Sequence, residues 1–254
     1  MAEEAVPTVI ADGVNIIYKV IAGQGGKGTA ATAFRRILKR QDRPTIREVH
    51  AVKNVTFTAY KGDAIGVIGR NGSGKSTLLR AIAGLLPPAS GAIYTGGQPS
   101  LLGVNAAMMN DLTGDRNVVL GCLAMGMTPD EIQQRYDEIV EFSGIGEFID
   151  LPMSTYSSGM SARLKFAIAS AKTHDILLVD EALATGDAEF RVRSEQKIKD
   201  LRTEAGTVFL VSHSLDVVLD TCNRAIWLDK GVLRMDGEVR EVVNAYNREA
   251  TAAR

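Results

Sequence analysis

The feature that most constrains this chain is a glycine-rich segment between an apolar run and a helical pattern. The segment Gly69–Ser76 reads GRNGSGKS and fits the pattern G-x-x-x-x-G-K-[ST], with the apolar run Ala64–Ile68 before it and the helical pattern Ser76–Ala83 after it. Glycines let backbone N–H groups converge on phosphate oxygens, and the positive end of the following helix points at the same anion. An ordinary glycine turn is the alternative, but the full motif with both flanking elements favours phosphate binding.

The motif predicts particular ligand-binding residues. We expect Lys75 to reach the β- and γ-phosphates of a nucleotide and Ser76 to bind Mg²⁺. The predicted phosphate-binding residues are Gly69, Asn71, Gly72, Ser73, Gly74, Lys75, Ser76 and Thr77. By itself the motif predicts a nucleotide but no particular reaction.

Two further groups follow predicted strands, where ligands bind in open α/β sheets. Asp180 and Glu181 follow the apolar run Ile176–Val179. Asp180 is expected to hold Mg²⁺ through water, and Glu181 to orient or deprotonate the water that attacks the γ-phosphate. His213 follows the run 208–212 and could donate to a γ-phosphate oxygen. A solvated acid pair and a structural histidine are the alternatives.

The composition limits the kinds of binding partner that the sequence supports. The 254 residues include 29 Lys+Arg and 30 Asp+Glu, a net charge of −1, which gives no electrostatic argument for a nucleic-acid partner. The two cysteines, Cys122 and Cys222, are too few for a disulfide scaffold and are expected in the core. We find neither a secretory signal nor a membrane-spanning pattern, so a partner would have to span any membrane.

The order of patterns predicts an α/β protein. Four-residue apolar runs at 176–179 and 208–211 each follow a helical pattern, as buried parallel strands do. Residues 225–235 predict a hairpin, and about 105–165 a mostly helical section in which Thr128–Glu131 forms a capping box. A first strand is predicted at Val14–Val20 and a half-buried strand at Val52–Ala59.

The segment Tyr156–Met160 (YSSGM) resembles the signature of ATP-binding cassette (ABC) proteins, which usually reads Leu-Ser-Gly-Gly-Gln. The order of phosphate loop, signature, Asp-Glu pair and histidine matches that family over nearly the whole chain. The resemblance implies one ATPase domain over 1–254: a RecA-like P-loop α/β core with an antiparallel β lobe and an inserted helical subdomain.

The resemblance also implies a composite site in a homodimer that hydrolyses ATP with Mg²⁺. In this family the signature of one subunit binds the γ-phosphate held by the phosphate loop of the other. Ser157, Ser158 and Gly159 would therefore contact the partner's nucleotide, and Lys75, Glu181 and His213 would be catalytic. Tyr18 lies in the first strand, where the family places an aromatic ring against adenine; simple packing is the alternative.

Three features resemble the ATPase subunits of polysaccharide exporters, which move lipid-linked O-antigen, teichoic acid, capsule or galactan. They are the signature with its continuation Ser161–Ala167, the loop Leu183–Phe190, and a basic insertion at about 24–48. This branch implies two copies of a transmembrane permease, a lipid-linked polysaccharide as cargo, and a position on the cytoplasmic face of the plasma membrane. An importer ATPase and a soluble non-transport cassette protein are the alternatives.

At some other positions the sequence differs from that of most relatives, and one segment allows two interpretations. Where most relatives have a glutamine, Leu101–Met109 has only one amide, Asn105. The basic helix Thr32–Arg43 is either a solvated surface helix or a gate beneath the permease. Some family members carry a C-terminal carbohydrate-binding domain, which we do not expect in a chain that stops at Arg254.

Overall fold

A computed structural model describes residues 6–22, 45–102, 108–172, 174–180, 188–204, 206–212 and 214–252. The predicted basic helix, Asn105, Glu181 and His213 lie outside these residues. The strands are β1 (Pro7–Ala22), β2 (Thr45–Tyr60), β3 (Ala64–Ile68), β4 (Ser90–Thr95), β5 (Pro99–Leu101), β6 (Ile176–Val179), β7 (Thr207–Leu210), β8 (Arg224–Asp229) and β9 (Val232–Glu238). The helices are α1 (Lys75–Ile82), α2 (Gly114–Ala124), α3 (Pro129–Ser143), α4 (Ser158–Ala169), α5 (Ala188–Glu204), α6 (Leu215–Thr221) and α7 (Val239–Ala252).

The larger sheet brings the predicted site segments to one edge. It has the strand order β5-β6-β7-β3-β8-β9, and every neighbouring pair is parallel except the β8–β9 hairpin. The apolar runs of β3, β6 and β7 are buried along their whole length, which explains why they lack alternation. Since parallel strands end at the same edge, the segments that follow β3, β6 and β7 meet there.

The smaller sheet is an antiparallel lobe with the strand order β2-β1-β4. The predicted alternation in 52–59 is confirmed: Val55 and Phe57 are buried, while Asn54 and Thr56 are exposed. The first strand is longer than the predicted Val14–Val20, because β1 pairs with β2 on one side and β4 on the other.

The described part of the section at about 105–165 is mostly helical, as predicted. Helices α2, α3 and α4 share an apolar core that includes Val118, Ile139 and Leu164. At the start of α3, Thr128 Oγ1 accepts from the N–H of Glu131 at 3.3 Å, and Glu131 Oε2 accepts from the N–H of Thr128 at 2.7 Å. This confirms the predicted capping box, and the two sheets with the helical section confirm the predicted fold class.

Both cysteines are buried, as expected of core residues. Burial raises the pKa of the Cys122 thiol to about 11, which keeps it protonated and unreactive at neutral pH. Among the described helices, none is long and apolar enough to cross a membrane.

Candidate functional site

The phosphate loop joins β3 to α1 and requires glycine where other strands approach it. A Cβ on Gly69 would lie 2.1 Å from the carbonyl oxygen of Leu228, and a Cβ on Gly74 would lie 2.5 Å from that of Ala51. Gly74 also has a φ of 104°, in the left-handed region. The first hydrogen bond of α1 runs from the N–H of Leu78 to the carbonyl of Gly74 at 2.9 Å, so the preceding N–H groups have no acceptor within the helix.

A cavity of about 350 Å³ opens beside this loop. Its lining residues are Asn71, Gly72, Gly74, Lys75, Ser76, Thr77 and Val211. Six of these seven belong to the predicted phosphate-binding set, and the seventh, Val211, directly follows β7. The loop therefore presents N–H groups and one ammonium to a pocket at the sheet edge, which suits a polyphosphate.

Lys75 carries the positive charge of this cavity. Its Nζ donates to the carbonyl oxygens of Gly69 at 2.8 Å and Arg70 at 3.1 Å. Burial lowers the pKa of Lys75, and the charge of Asp180 partly opposes that effect. A desolvated cation of this kind gains from a nearby anion, so the pocket favours a negatively charged ligand electrostatically.

Ser76 and Asp180 meet across the loop. The hydroxyl of Ser76 donates to Asp180 Oδ1 at 3.0 Å, although the two residues are 104 positions apart. Asp180 directly follows β6 and is only 8% exposed. A hydroxyl and a single carboxylate beside a phosphate pocket suit Mg²⁺, which takes oxygen ligands and usually keeps water and substrate phosphates in its shell.

Tyr18 connects the antiparallel lobe to the first turn of α1, which directly follows the phosphate loop. Its hydroxyl lies 3.3 Å from Thr77 Oγ1, within hydrogen-bond distance, and its side chain is half-buried. Tyr18, which we expect to lie against adenine, is therefore next to the helix that begins at the phosphate loop.

The signature segment forms the N-terminus of α4. We predicted a turn followed by a helix over Ser161–Lys172, but α4 spans Ser158–Ala169. The prediction was wrong by three residues because the Ser157 hydroxyl accepts from the N–H of Met160 at 3.1 Å and caps the helix there. Ser158 and Gly159 therefore lie in the first helical turn, and in the described chain they are not among the cavity's lining residues.

Sequence reasoning missed one contributor to the loop. The N–H of Gly231, in the turn of the β8–β9 hairpin, donates to the carbonyl of Ser73 at 2.9 Å. The sequence Asp229-Lys230-Gly231 signals a hairpin turn, but no local pattern indicates that the turn touches a loop 158 positions earlier. Glu181 and His213 fall outside the described residues, so their expected roles remain predictions.

Comparison with known proteins identifies the family to which the chain belongs. Residues 52–184 match the family model described as ABC transporter. The chain therefore belongs to the ABC transporter family. Among solved structures, it resembles the ATP-binding cassette MJ0796, described as a dimeric post-hydrolysis state bound to ADP and Pi, with a TM-score of 0.70 and 22% identity over 91% of this chain and 99% of that one. At that identity the likeness confirms the ABC ATPase fold.

Closer relatives come from one branch of the family. The chain is 40% identical to the O-antigen export system ATP-binding protein RfbB of Klebsiella pneumoniae, over 80% of this chain and 82% of that protein. It is 42% identical to the teichoic acids export ATP-binding protein TagH of Enterococcus faecalis and 44% identical to RfbB of Myxococcus xanthus. Those alignments cover 77% and 84% of this chain but only 44% and 48% of the relatives' lengths.

Proposed function

We propose that this chain is the ATP-binding and hydrolysing subunit of an ABC exporter that drives a lipid-linked polysaccharide across the cytoplasmic membrane. The observation that carries the ATPase part is the Ser76–Asp180 hydrogen bond, 3.0 Å long, beside a glycine-rich phosphate loop. The names of the relatives, which belong to teichoic-acid and O-antigen export systems, support the polysaccharide cargo.

The residues of the loop take distinct roles in this proposal. The N–H groups of Gly72–Thr77 and the ammonium of Lys75 bind the phosphates. Ser76 and Asp180 hold Mg²⁺, which when bound neutralises charge on the β- and γ-phosphates. Tyr18 stacks on adenine. Glu181 orients or deprotonates the attacking water, and His213 donates to a γ-phosphate oxygen.

The proposed site is completed by a second copy of the chain. Ser157 and Ser158 are exposed, and Gly159 lies beside them in the first turn of α4, where free N–H groups and the helix dipole favour an anion. These residues would contact the γ-phosphate held by the partner's loop. Hydrolysis and phosphate release remove charge from that contact and weaken the closed pair, which gives a mechanical cycle.

The assembly in this proposal also contains two copies of a transmembrane permease. The ATPase subunits sit on its cytoplasmic face, and the cargo passes through the permease. Within the complex, the reversal of Arg35, Arg36 and Arg40 to Glu is expected to reduce transport while sparing the ATPase activity of the isolated subunit, if the basic segment is a gate. Unchanged export in that triple variant would favour a solvated surface helix.

The chemistry can be tested with Glu181→Gln, which keeps the side chain's shape but removes its basicity. We expect the variant to bind ATP, to stop hydrolysing it, and to elute as a dimer in size-exclusion chromatography only when ATP is present. Hydrolysis at the native rate would show that Glu181 is not the base. Absence of ATP binding by the unmodified chain would overturn the proposed function itself.

The cargo can be tested by purifying the tagged chain from detergent-solubilised membranes of its own cells. We expect a membrane permease to co-purify, and cells depleted of the chain to accumulate lipid-linked glycan on the cytoplasmic side. Co-purification with ribosomes would instead favour a soluble cassette protein, and a defect in solute uptake would favour an importer.

A further inference from the structure

The hairpin turn of β8 and β9 touches the phosphate loop at one peptide. The N–H of Gly231 donates to the carbonyl of Ser73 at 2.9 Å, and the carbonyl of Gly231 accepts from the N–H of Lys53 at 2.8 Å. One turn residue therefore joins the loop to β2 in the antiparallel lobe. We call this meeting point of the loop, β2 and the hairpin turn the Gly231 junction.

The junction is packed too closely for a side chain. A Cβ on Gly231 would lie 2.6 Å from the carbonyl oxygen of Ala51 and 3.0 Å from its carbon. A Cβ on Gly74 would lie 2.5 Å from the same oxygen. The Ala51 carbonyl is thus wedged between a glycine of the loop and a glycine of the turn, and neither position can gain a methyl group unless backbone moves.

The hydrogen bond from Gly231 fixes the orientation of the Ser73–Gly74 peptide plane. All peptide bonds in the described chain are trans, so the carbonyl of Ser73 and the N–H of Gly74 point in opposite directions. With the carbonyl held by Gly231, the N–H of Gly74 points away from Gly231, and Gly74 itself is one of the residues that line the cavity. Hydrogen bonding to the carbonyl also polarises the peptide and strengthens its N–H as a donor.

We propose that Gly231 is a positioning residue for phosphate binding, which acts by holding the Ser73–Gly74 peptide with its N–H turned toward the bound phosphate. This inference rests on the proposed function, because it needs a polyphosphate in the cavity. It adds to that function a residue from the far end of the sequence that does not itself contact the ligand. Because the junction acts on the loop, it affects inorganic triphosphate as much as ATP.

The test compares three glycine-to-alanine variants. Gly231→Ala disturbs the junction. Gly62→Ala is the matched control for backbone strain, since its φ of 90° is close to the 85° of Gly231 but its Cβ would meet no atom of the described residues within 4 Å. Gly237→Ala controls for changes in the same hairpin, because within the described part of the chain its Cβ would meet only Val242 Cγ2, at 3.8 Å.

Calorimetric titration with inorganic triphosphate in the presence of Mg²⁺, below the melting temperature of each variant, gives the affinity of the folded protein. We expect Gly231→Ala to weaken binding of triphosphate and of ATP by about tenfold each, as for one misaligned hydrogen bond to a charged group. Gly62→Ala should lower the melting temperature without changing either affinity, and Gly237→Ala should change neither. Native affinity in folded Gly231→Ala, or an equal loss in Gly62→Ala, would overturn the inference.

A second measurement covers the case in which Gly231→Ala does not fold. In the unmodified chain, saturating triphosphate should slow hydrogen exchange at the Gly231 amide, because ligand binding and the Gly231–Ser73 hydrogen bond stabilise each other. Unchanged exchange at Gly231 would overturn the inference. If the unmodified chain binds neither ATP nor triphosphate, the proposed function fails as well. If the unmodified chain binds both and Gly231→Ala binds them with native affinity, only the proposed role of Gly231 is removed.

Discussion

At the scale of single residues, the site depends on opposite charges placed close together in a partly desolvated corner. Burial lowers the pKa of Lys75, the charge of Asp180 raises it, and Asp180 also accepts from Ser76. The loop motif predicted Lys75 and Ser76 directly, because glycines, lysine and serine at fixed spacing have one common structural use. Asp180 required a second step, namely that strands of one parallel sheet end at a common edge.

Asp180→Asn tests the metal site. The amide keeps the size of the side chain and can still pair with Ser76, but it removes the charge that would attract Mg²⁺. We expect apparent Mg²⁺ affinity or Mg²⁺-dependent ATP hydrolysis to fall about 10–100-fold, as for a group that acts through the metal's outer shell. Asp175→Asn is the matched control, because Asp175 is an exposed carboxylate just before the same strand. Equal losses in both variants would contradict a metal role for Asp180.

Tyr18 allows stacking to be separated from hydrogen bonding. Tyr18→Ala removes the ring and should weaken ATP binding by about 1–3 kcal/mol, the usual range for an aromatic side chain stacked on a base. Tyr18→Phe keeps the ring and loses only the contact with Thr77, so its affinity for ATP should stay near native. Binding of inorganic triphosphate should change little in either variant. If Phe and Ala weaken ATP binding equally, the hydroxyl rather than the ring is what matters.

At the scale of secondary-structure elements, the predictions that held were those with a local cause. The capping box at Thr128 and Glu131 needs only residues three apart, and it is present in full. The start of α4 was misplaced because several serines precede the helix and only the structure shows that Ser157 is the cap. The full length of β1 depends on pairing with two distant strands, which no local pattern encodes.

In the β8–β9 turn, Lys230 adopts a left-handed backbone conformation that lysine does not favour. Lys230 has a φ of 49° and Gly231 a φ of 85°, which is the two-residue turn that prefers Asn-Gly. Lys230→Asn should therefore raise the free energy of unfolding by up to about 1 kcal/mol, since asparagine tolerates the left-handed region better than lysine. Thermal melting measures the gain. Lys61→Asn, in a turn where the left-handed position is glycine rather than lysine, should not stabilise the protein; an equal gain there would point to charge instead of backbone strain.

At the scale of the whole molecule, the sequence patterns predicted an α/β protein with a helical section, and the family resemblance implied the second, antiparallel sheet. Neither predicted the contact between the phosphate loop and the hairpin turn. Hydrophobic runs and turn residues identify elements, whereas the Gly231–Ser73 hydrogen bond depends on the order of strands in the larger sheet. That order places β8 beside β3, and thereby the hairpin beside the loop that follows β3.

The composite site can be tested by mixing two inactive proteins. Lys75→Ala disables the loop and Ser157→Arg disables the signature, so each variant alone should hydrolyse no ATP. A mixed dimer has one site with a native loop from one copy and a native signature from the other. With random pairing, about a quarter of the native rate should return, as measured by phosphate release from a subunit-exchanged 1:1 mixture. A mixture that stays inactive would argue against sites shared between copies.

The wedged carbonyl of Ala51 has a consequence for anyone who redesigns this protein. Positions 74 and 231 abut the same atom from two directions, so enlarging either one displaces the strand that confines the other. A library that varies these positions one at a time would miss every pair of substitutions in which one change relieves the clash caused by the other. Randomising 51, 74 and 231 together is the economical way to find tolerated combinations, and the hairpin tip is a poor place to insert a tag.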